Sequence, residues 1–319
     1  MRLCRFEMDE VELAGFYEDD HVIPIIQACE AYCEEVGVEL LLESTDDLID
    51  FLPPDGPSHA AIEALYDWTR TLEGDQLTEL SVPMGDVKLL VPIPRPPKIL
   101  LLAGNYAAHV IERGYMPVER AETFPYVFMK PPSTTLTHPG DPVVIPACSP
   151  DHIDYEAELG VVIGRRCRDV EEADAMNYVA GYTVINDITD RKYMPNPGRK
   201  PRERDKFFDW LHGKWHDTFC PVGPCLLAAG PGVDPQEFPI KLTVNGQTKQ
   251  DGSTGQMIFP VAAVIAFLSK WVTLEPGDLI STGTPSGVGS STGIYLKPGD
   301  VVVASIAGIG ELSNPIEAS

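Results

Sequence analysis

Asp154-Tyr155-Glu156-Ala157-Glu158-Leu159-Gly160-Val161-Val162-Ile163-Gly164 is the stretch on which the reading of this chain turns. Its second half is a β-branched, apolar run of strand length, closed by glycine. Residues two apart on a strand point to the same face, so Glu156 and Glu158 project together at the head of that run. Two adjacent like charges repel, and water or a positive charge has to offset them. An isolated Glu-x-Glu has an ordinary explanation, a solvent-facing edge strand; the alternative is a bound cation.

A second stretch bears on that choice. Gly181-Tyr182-Thr183-Val184-Ile185-Asn186-Asp187 is another apolar strand that ends in a carboxylate. Where the two strands lie together, three carboxylates converge. Three hard oxygen ligands with room for water suit Mg²⁺ or Mn²⁺, whereas Ca²⁺ takes more ligands. Zn²⁺ is disfavoured because no His or Cys joins the group.

Further out, strand-like runs bounded by turn signals dominate from Ile99 onward. Ile99–Leu102, Glu158–Ile163, Val179–Ile185, Ile240–Val244, Leu279–Ser281 and Val301–Ile306 read as strands. Pro139-Gly140-Asp141, Asn245-Gly246, Pro276-Gly277-Asp278 and Pro298-Gly299-Asp300 read as turns. One helix, Pro260–Trp271, interrupts them. Val91–Lys98 (VPIPRPPK) is a proline-rich connector with few ladder donors. Before it, apolar positions at Val22, Ile25, Ile26, Cys29, Cys33 and Val36 give a helical period over His21–Leu41. Ser58 is placed to cap a second helix carrying Ile62, Leu65 and Trp68. The acidic runs Glu7–Glu12 and Glu43–Asp50 read as solvated faces. The expected division is a small N-terminal domain, residues 1–90, and a mostly-β catalytic domain, residues 91–319.

Forty-eight acidic against 24 basic residues leave a formal charge of −24. Such a surface repels phosphate backbones and anionic lipids, which excludes nucleic-acid and membrane partners. No apolar stretch reaches membrane-spanning length, and Met1–Phe6 lacks the apolar run of a signal peptide. The seven cysteines are irregularly spaced with no C-x-x-C pair, as expected of free thiols in a reducing, cytoplasmic setting. The segment Arg191–Lys214 holds 8 of the 24 basic residues. Two readings stay open for it: recruitment of an anionic substrate, or a contact with a partner subunit.

Four motifs in order resemble the fumarylacetoacetate hydrolase family: Asp154–Gly164, Gly181–Asp187, Asp217-Thr218-Phe219-Cys220-Pro221 and Thr282-Gly283-Thr284-Pro285-Ser286-Gly287-Val288-Gly289. The resemblance runs from about Pro92 to Leu312. It implies an α+β protein whose catalytic domain is the family's mixed β-roll, preceded by a small α/β domain, and commonly a homodimer. It implies metal ligands at Glu156, Glu158 and Asp187, with Mg²⁺ or Mn²⁺ as cofactor. Its lid motif is similar to Asn105–Glu112, where His109 and Glu112 stand three apart and share a helix face. There the glutamate would orient the imidazole that takes a proton from water. The lid reading suits the flanking Gly104 and Gly114. Lys214 would place a positive charge beside a developing oxyanion. Arg191, Thr284 and Tyr106 are the implied substrate contacts. Met194 departs from the pattern, since many members carry glutamine at that position.

The implied substrate is a small anionic 2-oxo acid with a second carbonyl at C4. The implied reaction is hydrolysis of its C3–C4 bond to pyruvate and a carboxylate. Decarboxylation of a 2-oxo diacid or isomerisation of an unsaturated 2-hydroxy diacid would share the enolate. A binding protein without catalysis is the alternative of a different class.

Overall fold

Every residue from Ala157 to Ile163 is buried, which excludes an edge strand facing solvent. The computed structural model describes residues 1–43, 47–117 and 119–319. Ala157–Ile163 lies between Val179–Asn186 and Leu279–Ser281, antiparallel to both, inside a 12-stranded sheet. A strand covered on both faces reads as a continuous apolar run rather than an alternation. Leu159, Val161 and Ile163 enter one apolar cluster, and Val162 enters the cluster on the opposite face.

Ile99–Ala103 joins Leu279–Ser281 in parallel and carries Tyr126–Met129 antiparallel beside it. On the other side Cys220–Ala228 pairs with Val179–Asn186. A second sheet of five strands contains Pro239–Val244, Gln247–Ser253, Val301–Ile306, Gly310–Ala318 and Val143–Ile145. Its apolar residues Ile240, Leu242, Val302, Ala304 and Leu312 share a cluster with Leu159, Val161 and the helix Val261–Ser269. The fold is thus α+β on mixed sheets, as the sequence implies.

The N-terminal strands extend the same large sheet. Arg2–Met8 pairs with Cys220–Ala228, then Val11–Tyr17 and His21–Pro24 follow outward. The expected helix over His21–Leu41 is therefore shorter, Ile25–Val36. Val22 and Ile23 are β-branched and pair as strand, Pro24 stands at the helix start, and Gly37 at φ 72° ends it. Ser58 does sit before the helix His59–Thr69, but its hydroxyl accepts from the Glu43 N–H (2.9 Å) instead of capping.

The acidic runs are more than solvated faces. Glu7–Glu12 forms the hairpin between the first two strands, and Glu12 pairs with Arg5. In the second run, Ser44, Thr45 and Asp46 lie outside the described residues. Asp47 accepts from the Ile49 N–H at the start of a short turn that buries Leu48 and Phe51. Cys29 and Cys33 are half-buried on the first helix; burial, then the neighbouring Cys33, raises the Cys29 pKa. No helix among the described residues is long and apolar enough to cross a membrane.

Candidate active site

Strand register brings the three carboxylates together. Ala157 faces Asn186 across the ladder, so Asp187, just past the strand end, falls beside Glu156. The Asp187 N–H donates to the Glu156 carbonyl (2.9 Å), and the Glu156 N–H donates to the Asn186 side chain (3.0 Å). Carboxylate oxygens of Glu156, Glu158 and Asp187 lie within 4.8 Å of one another, all buried. Like charges at that spacing repel by about 3 kcal/mol per pair at an effective dielectric of about 20. Three such pairs approach the net stability of an ordinary domain, roughly 5–15 kcal/mol. Such repulsion must be offset, by nearby positive charge or by protonation of one of the three.

Basic residues supply part of the positive charge. Lys214 donates to Glu156 Oε2 (2.6 Å) and to Asp187 Oδ2. Arg191 spans Asp154 (2.7 Å) and Glu156 (2.6 Å). Lys130, 1% exposed, lies 2.6 Å from Asp187 Oδ1 and donates to the carbonyls of Ile188 (2.8 Å) and Phe219. Burial works against ionised Glu156, yet the Arg191 and Lys214 charges hold it well below the usual carboxylate range. Burial likewise disfavours the Lys214 ammonium, but Asp187 and Glu156 outweigh it and raise its pKa. Arg191 is raised in the same manner: Glu156 and Asp154 overcome its burial.

Glu158 is the exception. No ion pair reaches it among the described residues. Its Oε2 accepts from the Ser281 hydroxyl (2.6 Å) and the Gly283 N–H (2.8 Å). Burial, then the charges of Asp187 and Glu156, push its pKa well above the ordinary value. A buried carboxylate driven toward protonation by two others is what a bound cation relieves. The all-oxygen donor set fits a divalent ion of the Mg²⁺ or Mn²⁺ kind.

Beside this cluster sits the dyad. His109 and Glu112 belong to the helix Ala107–Glu112. His109 Nδ1 meets Glu112 Oε1 at 2.7 Å, and Nε2 lies 3.8 Å from Glu156 Oε1. Glu112 Oε2 in turn accepts from the Gly287 N–H (2.8 Å). Only glycine suits that position, because φ is 107° and a Cβ would collide with the Lys249 carbonyl oxygen. The same loop holds Asp154, which accepts from the Gly289 (2.5 Å) and Ser290 (2.9 Å) N–H groups. The glycine loop therefore presents backbone N–H groups to three carboxylates of the protein: Glu158, Glu112 and Asp154.

The remaining expected contacts divide. Arg191 and Thr284 line the cavity over the cluster. The Thr284 hydroxyl donates to the Ala157 carbonyl (2.8 Å) and accepts from Gln250 (2.8 Å). A hydroxyl has one proton to give, so a substrate contact there falls to the backbone N–H. Tyr106 is a correction: it is 1% exposed, packs in the core and does not line the cavity. Tyr106 stands just before the helix Ala107–Glu112 with its ring turned inward, and its backbone bridges to Met257.

The basic segment also divides. Arg199 pairs with Asp205 and Asp209, and Arg202 with Asp205, so local acids neutralise both. Lys192 and Lys206 line the cavity instead. Sequence reasoning missed Lys130, Asp154 and Ser281. Asp154 had a signal, since it continues the alternation of Glu156 and Glu158; Lys130 and Ser281 had none, because their roles depend on strands distant in sequence.

Residues 98–317 match the family described as fumarylacetoacetate (FAA) hydrolase C-terminal. The chain belongs to the fumarylacetoacetate hydrolase family. Members of this family include the 2,4-didehydro-3-deoxy-L-rhamnonate hydrolase of a Sphingomonas strain, 42% identical over 75% of this chain and 79% of its own. Another is the mitochondrial oxaloacetate tautomerase fahd2 of Xenopus laevis, 41% identical over 73% of this chain and 69% of its own. Among solved family structures, maleylpyruvate hydrolase from Sphingobium sp. SYK-6, in complex with manganese(II) and pyruvate, superposes with a TM-score of 0.71. It is 28% identical and the match covers all of both chains. The family thus contains both hydrolases and a tautomerase, and this chain is an enzyme of that family.

Proposed function

We propose that this enzyme hydrolyses the C3–C4 bond of an acylpyruvate-type 2,4-dioxo acid, giving pyruvate and a carboxylate. The observation that carries the reading is the dyad: an imidazole fixed by Glu112 at Nδ1, with Nε2 turned to the carboxylate cluster and Lys214 alongside. Glu156, Glu158 and Asp187 would hold Mg²⁺ or Mn²⁺. When bound, the ion would polarise the 2-oxo acid head and stabilise enolate charge.

The chain's own groups do the rest. Arg191 faces the carboxylate end of the substrate. His109, with Nδ1–H held by Glu112, takes a proton at Nε2 from a water that attacks C4. The Lys214 ammonium stabilises the oxyanion formed there. Collapse of that oxyanion breaks the C3–C4 bond and leaves the electron pair on C3 as pyruvate enolate. The proton held on His109 returns to C3. The sum is acylpyruvate plus water to pyruvate and a carboxylic acid, which ionises.

A second reading rests on the 41% identity to a tautomerase. The same imidazole can carry a proton between C3 and the enol oxygen with no water attack. Incubation with acetylpyruvate, oxaloacetate and an unsaturated 2-hydroxy diacid, each with Mg²⁺, separates the readings. Pyruvate and acetate from acetylpyruvate are the expected products. Enol–keto exchange of oxaloacetate with no acylpyruvate cleavage would replace the hydrolase reading by the tautomerase.

A further inference from the structure

The cavity extends well past the reacting groups. It encloses about 840 Å³, within the range that accommodates a drug-sized ligand, and a four-carbon diacid fills a small part of it. Beyond Lys214 its wall is aromatic. The Lys214 ammonium lies 5.0 Å from the centre of the Phe128 ring and 6.0 Å from that of Trp210. Phe128 meets Trp210 edge-on at 5.0 Å, and Trp210 meets Phe207 at 5.8 Å. Phe124 and Tyr126 line the same space, 5.6 Å apart. Phe128, Trp210 and Phe207 thus form one run of ring contacts that starts at the ammonium, and Phe124 with Tyr126 is a separate ring pair lining the same cavity.

Phe124 is 58% exposed, Tyr126 66% and Phe207 54%. Large rings left in water inside a cavity mark a place where an apolar ligand gains by displacing that water. Arg113, Lys192 and Lys206 also line the cavity but are exposed to solvent. They give the mouth its charge and leave the wall apolar.

On the hydrolase reading above, we infer that this wall is a subsite for a flat aromatic acyl group. The substrate class is then the aroylpyruvates, 2,4-dioxo acids whose C4 carbonyl carries an aromatic ring. The 2-oxo acid head lies at the carboxylate cluster and Arg191, the C4 carbonyl beside Lys214, and the ring against Phe128, Trp210 and Phe207.

Binding tests this without turnover. Oxamate and N-benzyloxamate present the same carboxylate–carbonyl head, and only the second carries a ring at the spacing of benzoylpyruvate. Titration calorimetry on the full chain with Mg²⁺ should find N-benzyloxamate tighter by at least about tenfold, the usual return on filling an apolar pocket. Phe207→Ala, at a half-exposed position that tolerates truncation, and Trp210→Ala should each cut that ratio to below about threefold. Equal binding of the two probes, or a ratio that survives both substitutions, overturns the subsite. Hydrolysis of benzoylpyruvate and acetylpyruvate is followed in parallel. Ring preference with no hydrolysis keeps the subsite and refutes the hydrolase reading. Hydrolysis with no ring preference keeps the hydrolase and refutes the subsite.

Discussion

The two ends of the cavity are built in opposite ways. At the inner end, Glu156, Asp187, Asp154 and Glu112 each have at least two polar partners, drawn from strands, helix and glycine loop. At the outer end, rings meet rings, and Phe124, Tyr126 and Phe207 stand half in water. Directional bonds hold charged groups to fractions of an ångström, as proton transfer demands. Apolar contact is non-directional and tolerates ligands of differing shape. One end is made for invariant chemistry and the other for choosing what is attached to it.

Substitutions at the inner end should therefore be the most damaging. Glu158→Ala should lower kcat by more than about 10³, the scale of losing a principal charge-stabilising group, and should abolish Mg²⁺ binding by calorimetry. Full turnover in excess EDTA would dissolve the contrast between the two ends. His109→Ala should lower kcat by about 10²–10⁴ while Mg²⁺ affinity stays near wild type. Loss of metal binding with turnover intact would assign His109 to the ion and remove the dyad.

Lys130→Met removes one partner of a buried pair and should cost about 3–5 kcal/mol in urea unfolding of the metal-free protein. Added Mg²⁺ should stabilise this variant more than wild type, because the ion replaces charge that Asp187 has lost. Equal stabilisation would mean that Lys130 does not neutralise Asp187. The pH dependence follows from Glu158. Its pKa is raised, so between the ordinary glutamate value of about 4.3 and the raised one, the folded metal-free site holds a proton. The ion must expel that proton, so apparent Mg²⁺ affinity should rise with pH across the window, by up to about tenfold per unit. Calorimetry in buffers of different ionisation enthalpy should register the released proton, and a flat profile would place no proton on Glu158.

The outer end should respond least. Lys192→Gln with Lys206→Gln should flatten the fall of kcat/KM with ionic strength, an effect of a few-fold given a Debye length of about 10 Å at 0.1 M. Neutralising Arg199 and Arg202, already paired with Asp205 and Asp209, should leave that slope alone. If the second pair moves the slope and the first does not, steering comes from the surface at large and not from the cavity mouth.

The legible parts of the site were those with local patterns. Alternation placed Glu156 and Glu158 on one face, helical spacing paired His109 with Glu112, and an apolar run ending in Asp187 supplied the third carboxylate. Lys130 and Ser281 were illegible because each acts through a partner on a distant strand. Tyr106 was misread because adjacency to a motif says nothing about which way a ring turns. The length of the first helix was misread because Val22 satisfies a helical period and a strand equally; pairing of His21–Pro24 with Val11–Tyr17 decides between them. The place of the first strands in the large sheet was hidden for the same reason, their partner being Cys220–Ala228.

That last pairing sets a clock on biosynthesis. Arg2 lies opposite Leu227, a separation of 227 − 2 = 225 residues. At a translation rate of roughly 5–20 residues per second, the nascent first hairpin waits about 10–45 s before its partner leaves the ribosome. During that wait Arg2–Met8 can pair with Val11–Tyr17 and Lys88–Leu90, but its other edge lacks the strand it borders in the finished sheet. The order of the strands along the chain therefore makes the closing of this edge one of the late events of folding.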